Sequence, residues 1–141
     1  MKVGVLSFVI LGFSACIVAA EPIGEIDDLD GVARASGSSG DRDLRDGDDV
    51  FLGDEIITDS GARLEIEFND DTRFEVGGDS RITLDEFIYA GGSSDRFAAT
   101  LFTGAMRFVS GAVAGHSSTA MTVGTPIATI GVRGTVLDVN V

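Results

Sequence analysis

Apolar and polar residues alternate with a period of two through the middle of the chain, most clearly between Gly53 and Leu84. Over residues 62–68, Leu64, Ile66 and Phe68 alternate with Arg63, Glu65 and Glu67. That spacing puts three apolar side chains on one face of an extended strand and the charges on the other. Phe74 and Val76 then continue inward while Arg73 and Glu75 face out, so the acidic turn Asn69-Asp70-Asp71 joins two half-buried antiparallel strands. Gly77-Gly78-Asp79-Ser80 reads as a second turn, and residues 81–84, continued by 85–89, as the third strand of a meander. A slip of one residue would bury the charges, which pins the register.

Outside that stretch the elements are shorter. Residues 21–30 are acidic and read as a loose lead-in, and residues 31–35 as a short strand ended by the flexible Ser36-Gly37-Ser38-Ser39-Gly40. Leu44, Val50-Phe51-Leu52 and Ile56-Ile57 are separated by Asp46-Gly47-Asp48-Asp49 and Gly53-Asp54, short strands between tight turns. Residues 96–102 and 106–109 form two more strands around Gly104, flanked by the flexible loops 91–95 and 110–120. Residues 121–123, the Thr125-Pro126 turn, residues 128–130 and a last run over 135–141 complete the chain. No stretch after residue 20 carries a helical period of ten or more residues. Short strands at roughly ten-residue spacing predict an all-β fold, a single domain of short, mostly antiparallel strands in a sandwich, barrel or solenoid-like stack. No strict repeat demands a regular solenoid.

The N-terminus reads as an address. Met1 and Lys2 precede an apolar run over residues 3–18, and Val18-Ala19-Ala20 before Glu21-Pro22 presents small residues where a signal peptidase cleaves. Residues 1–20 are therefore expected to be a signal peptide, cleaved after Ala20, which makes the mature chain periplasmic or secreted, without a transmembrane span. Phe13-Ser14-Ala15-Cys16 resembles a lipoprotein box with Phe13 in place of the usual leucine. A lipid anchor through Cys16 is the alternative to plain cleavage, which is the favoured expectation. After cleavage the chain has no cysteine and hence no disulfide.

With 141 residues there is room for one domain and a sizeable core, and 44% hydrophobic residues with nine Phe argue against disorder. The formal net charge is −13, from 23 acids against ten cations, of which only Lys2 is a lysine. Such a surface repels phosphate backbones, so nucleic acid is excluded as a partner. No catalytic set emerges. His116 is the only histidine, beside Ser117 and Ser118, and no Gly-x-Ser-x-Gly elbow surrounds any serine. One histidine and no mature cysteine exclude an ordinary structural zinc site. Asp41, Asp43, Asp46 and Gly47 fail as a calcium loop, because position five is Arg45 and no glutamate follows at position twelve. Asn69, Asp70 and Asp71 remain open to two readings, solvated turn residues or part of a looser oxygen cage for calcium. No cofactor is expected.

Leu44 with Gly47-Asp48 and Val50, Gly53-Asp54 through Ile57-Thr58 and Gly61, and the strand from Leu64 to Phe68 recur in order with Leu101, Gly104 and Met106-Arg107. They lead to Thr125-Pro126-Ile127-Ala128-Thr129-Ile130-Gly131-Val132-Arg133-Gly134-Thr135, followed by Val136, Leu137 and Val139. In this order and spacing, residues 41–141 resemble the FecR domain, whose signature is a Thr-Pro turn, a small-residue strand and an Arg-Gly-Thr element. The candidate signature residues are thus Thr125, Pro126, Arg133, Gly134 and Thr135. Arg133 offers a planar fork of donors that can tie turn carbonyls or a carboxylate, a structural role, and a ligand role is the lesser alternative.

The chain departs from the family in three ways. Asp70-Asp71 stands where the family has Asp-Gly, so an aspartate must take a backbone conformation that suits glycine. The sigma-regulator members also carry a cytosolic helical segment and a membrane span, whereas only Met1 and Lys2 precede the apolar run here. The chain also stops at Val141, inside what resembles a strand after which family members usually continue. The expectation is an exported, non-enzymatic interaction or signalling module of the periplasm, without a sigma-binding part, that meets a protein partner in the cell envelope through an exposed strand edge. The alternative is a cell-envelope structural or glycan-binding protein, marked by a concave row of aromatics.

Overall fold

The computed structural model describes residues 19–117, 120–133 and 136–141. The expected leader up to residue 18, with Cys16, lies outside them, as do Ser118, Gly134 and Thr135. Among the described residues the chain forms strands β1 (Pro22–Asp30), β2 (Ala33–Gly37), β3 (Gly40–Asp43), β4 (Asp49–Phe51), β5 (Glu55–Thr58), β6 (Arg63–Phe68) and β7 (Arg73–Val76). They are followed by β8 (Arg81–Ile88), β9 (Arg96–Thr103), β10 (Ala105–Val109), a single 3₁₀ turn (Val113–Gly115), β11 (Met121–Gly124), β12 (Thr129–Gly131) and β13 (Val136–Asn140). The fold is all-β, two sheets packed face to face. Sheet A runs β13-β10-β7-β6-β1-β4 and sheet B runs β12-β11-β9-β8-β5-β2-β3. Every pair is antiparallel except β9 with β11, which is parallel.

The stack grows in one direction. From β5 onward the chain crosses repeatedly between the sheets, adding β5, β8, β9 and β11 to one and β6, β7, β10 and β13 to the other on the same side. That is the sandwich and the solenoid-like stack in one arrangement. The core runs along its length and is fullest where Phe68 and Phe74 of sheet A meet Phe97 of sheet B, with ring centroids 4.8 and 5.3 Å apart and edge-to-face geometry. Phe68 and Phe74 themselves lie 4.7 Å apart, and all three rings are buried, as the alternation required of the first two. Burying each such side chain contributes about 1.5–3 kcal/mol, and each edge-to-face pair adds about 0.5–1.5 kcal/mol.

The expected meander holds only for its first turn. β6 pairs with β7 in the register of the alternation, Ile66 against Phe74 and Leu64 against Val76. β8, however, lies in the other sheet, between β5 and β9. Residues 77–80 are therefore a corner. Thr58 Oγ1 donates to the Gly77 carbonyl at 2.6 Å and accepts from the Ser80 N–H at 3.0 Å, tying this corner to the one that leaves β5. A Cβ on Gly78 would meet the Gly61 nitrogen at 2.6 Å, so the two corners touch backbone to backbone. Alternation reports that one face is buried; it carries nothing about which sheet a strand joins.

Residues 21–30, expected to be a loose lead-in, instead supply β1, an interior strand between β4 and β6. Register shifts between Pro22 and Gly24 and between Ile26 and Asp28 break the period of two, leaving Ile23, Ile26 and Leu29 at a spacing that no strand template matches. β3 has no apolar residue to announce it; the Ser36–Gly40 segment is the tight link that folds it back on β2. The loops expected to be flexible are also anchored. Asp70 is fully buried and accepts from Thr72 N (3.1 Å), Thr72 Oγ1 (2.8 Å) and Val113 N (3.2 Å), which ties the β6–β7 turn to the 3₁₀ segment. There a Cβ on Gly111 would strike the Asp70 carbonyl oxygen at 2.1 Å.

Candidate interaction edge

Each sheet has two edges, and the two ends of the stack treat them differently. At the β3/β4 end, Arg42 shares its cross-strand position with the buried Ala35 and so points between the sheets. Its Nη2 lies 2.5 Å from Oδ2 of the fully buried Asp54 and donates to the Asp49 carbonyl at 3.0 Å, and the guanidinium sits 5.2 Å from the Phe51 ring centroid. Asp54 also accepts the Phe51 N–H at 2.9 Å. Leu44, buried in the loop after β3, closes the remaining gap, and backbone bonds from Leu44 N to Ala33 O and from Gly47 N to Ile26 O hold that loop down. An inward-pointing charge beside a three-residue edge strand is a device that keeps another strand from adding.

The β12/β13 end has no such guard among the described residues. The inward side chains there are Ile130 and Val132 from sheet B and Leu137 and Val139 from sheet A. Ile130 and Leu137 remain partly exposed although their cross-strand partners, Val123 and Phe108, are fully buried. Among the described residues, no strand pairs with the backbone of β13 on the side away from β10. Gly104 and Val141 exchange both of their hydrogen bonds, which fixes Val139 and Leu137 toward β10 and turns the N–H and C=O groups of Val136, Asp138 and Asn140 outward. On the solvent face Arg107 Nε and Nη2 hold Asp138 at 2.6 and 3.1 Å. That pairing lowers the pKa of Asp138 and raises that of Arg107, in each case chiefly through the side-chain hydrogen bond.

The signature residues gather at the same end. Thr125 N donates to Ala128 O at 2.7 Å and Thr125 Oγ1 accepts from Ala128 N at 3.1 Å, which closes the β11–β12 hairpin with Pro126 at its tip. Beside Pro126, Ile127 is 95% exposed. Arg133 follows β12, is exposed, and hydrogen-bonds to no described residue, so the turn-anchoring partner expected for it is not among them. Gly134 and Thr135 fall outside the described residues.

Two other groups singled out by the sequence are committed within the fold. The Asp70 carboxylate accepts from protein donors, as described above, and no group of three or more His, Cys, Asp or Glu side chains among the described residues is placed to hold a metal ion. His116 Nδ1 lies 3.0 Å from Oδ2 of the fully buried Asp95, whose two oxygens also accept from Ala90 N (2.9 Å) and Gly91 N (3.0 Å). The Ala90 N–H is the main reason that the Asp95 pKa lies below its ordinary value; burial opposes it, and the Gly92 and Gly91 N–H groups and the His116 charge add to it. The Arg42–Asp54 and Asp95–His116 pairs are not legible in the sequence, because partners 12 or more residues apart in the chain leave no local signal.

No helix among the described residues is long and apolar enough to cross a membrane. No curated protein matches the chain. Over 43% of its length the chain is similar, at 35% identity, to a solved structure described as a cell surface anchoring domain, of which it covers 82%, with a TM-score of 0.41. The family model described as FecR protein matches residues 54–141, the greater part of the chain and every strand from β5 onward. With that match over the matching order of turns and strands, the chain belongs to the FecR protein family.

Proposed function

We propose that the mature chain is an exported, non-enzymatic interaction or signalling module of the bacterial periplasm that binds a cell-envelope protein by adding one of its strands to the β12/β13 end. Family membership supports a cell-envelope-related module. The observation that carries the mechanism is the unguarded end itself: outward N–H and C=O groups on β13, beside half-covered Ile130 and Leu137. Neither sigma-factor contact nor chemistry at His116 enters this reading. A glycan platform has less support, because Phe68, Phe74, Phe97 and Phe108 are core residues, which leaves the exposed Phe102, with the Arg81 guanidinium 5.2 Å from its ring centroid, and Tyr89 rather than a row of aromatics.

The experiment is photo-crosslinking in cells, with the crosslinker at Asn140 or, at the guarded end, at Asp41. A specific envelope protein joined from Asn140 and absent from Asp41 is the expected result. Equal labelling from both ends, or labelling from neither, rejects the edge mechanism. Mass spectrometry of the same sample tests export, through an N-terminal peptide that begins at Glu21.

A further inference from the structure

We infer that the strand received at this end carries a basic residue facing Asp138, flanked on both sides by apolar residues, and lies beside β13. The inference rests on the strand-addition reading above and specifies the chemistry of the partner. Its geometry follows from the outward backbone groups of β13: a single strand hydrogen-bonded to Val136, Asp138 and Asn140 would extend sheet A from six strands to seven.

The inner face dictates the flanking residues. In an antiparallel pair the residue opposite Asp138 shares its outward direction, so its two neighbours point inward, next to Leu137 and Val139. What they meet there is Ile130 and Val132, and no inward charge. Only apolar side chains fit without an unpaired polar group.

The outer face dictates the central residue. Glu65, Glu75, Arg107 and Asp138 stand directly opposite one another across β6, β7, β10 and β13. Arg63 reaches Glu65 at 2.7 Å and Glu75 at 3.8 Å. With Asp28 of β1 opposite Glu65, four carboxylates and two guanidiniums leave this row short of cations, and the open position at the β13 end is the one beyond Asp138. Lysine or arginine fills it; glutamate or aspartate there adds a like-charge contact. The same rule excludes a second copy of the chain. In the antiparallel register that uses all three outward residues of β13, Asp138 would face Asp138, between two molecules of formal charge −13 each.

Two short labelled peptides of alternating valine and threonine, one with lysine and one with glutamate at the central outward position, test this by fluorescence anisotropy at low salt. The lysine peptide is expected to bind about five- to tenfold more tightly, with the advantage shrinking as salt is added. Asp138→Asn removes the preference. Asn140→Pro weakens both peptides, because it deletes an outward N–H while leaving the bonds between β10 and β13 in place. Near-native melting of both variants confirms their fold. Equal binding of the two peptides to the unaltered protein, with Asn140→Pro still disruptive, overturns the charge rule and leaves strand addition standing. No binding, or binding indifferent to Asn140→Pro, overturns both.

Discussion

Asp71 takes a φ of 66° in the β6–β7 turn, the left-handed conformation for which the family uses glycine. This requirement is legible in the sequence, because Asp70-Asp71 in place of Asp-Gly exposes the geometry of the turn. What is not legible there is that the neighbouring Asp70 turns inward to be ligated by Thr72 and Val113, since Val113 lies 43 residues away. The same distance hid Thr58. Its hydroxyl serves both the Gly77 carbonyl and the Ser80 N–H, and Thr58 and Ser80 are both buried. Thr58→Val keeps the shape and removes both bonds, so a loss of about 1–3 kcal/mol is expected in urea unfolding. Asp95 gives a pH signature. Its pKa in the folded chain lies below the ordinary value of 3.8, so on acidification the unfolded chain takes up the proton first. The stabilisation is complete above about pH 5 and lost as pH falls past 3.8 through the folded value. Urea midpoints measured against pH should fall more steeply below pH 5 for the unaltered protein than for Asp95→Asn; parallel curves would show that the carboxylate is not held as described.

At the scale of elements, β6 and β7 were legible because each keeps a strict alternation from end to end, and β9 because it keeps one as far as Leu101. β8 kept it only as far as Leu84, where a bulge sets Asp85 between the pairs Leu84–Ala99 and Glu86–Ala98 and returns Phe87 to the inner face. β1 lost it at two bulges, and β3 offered only glycine, aspartate and arginine. The candidate edge was legible as a kind of site and not as a place. Which strand ends a sheet is a property of pairing, and pairing is not written in any one strand. The family match begins at Asp54, inside the turn before β5, whereas β1 and β2 are the neighbours of β6 and β5. A fragment of residues 54–141 would therefore bare one side of both sheets, with Ile56, Leu64 and Ile66 beside the exposed edges. It is expected to aggregate or to lack dispersed amide resonances, while residues 21–141 give a well-dispersed spectrum.

Across the whole molecule, the charge of −13 and the one-way growth of the stack act together. Facing acids such as Glu25 and Glu67, or Glu65 and Glu75, are tolerated because arginines stand within reach: Arg73 meets Glu67 at 2.7 Å, and Arg63 meets Glu65 at the same distance. Like charge on every copy opposes their approach. The closed β3/β4 end, with Arg42 turned into the gap and bound to Asp54, has a consequence for stoichiometry. A sandwich that was open at both ends could be threaded into a chain of any length; one that is sealed at one end can only be a last link. On the strand-addition reading, a sheet extended by this protein would stop at it. Native mass spectrometry of the captured complex should then show one partner per chain and no higher series, the signature of a terminator rather than a brick.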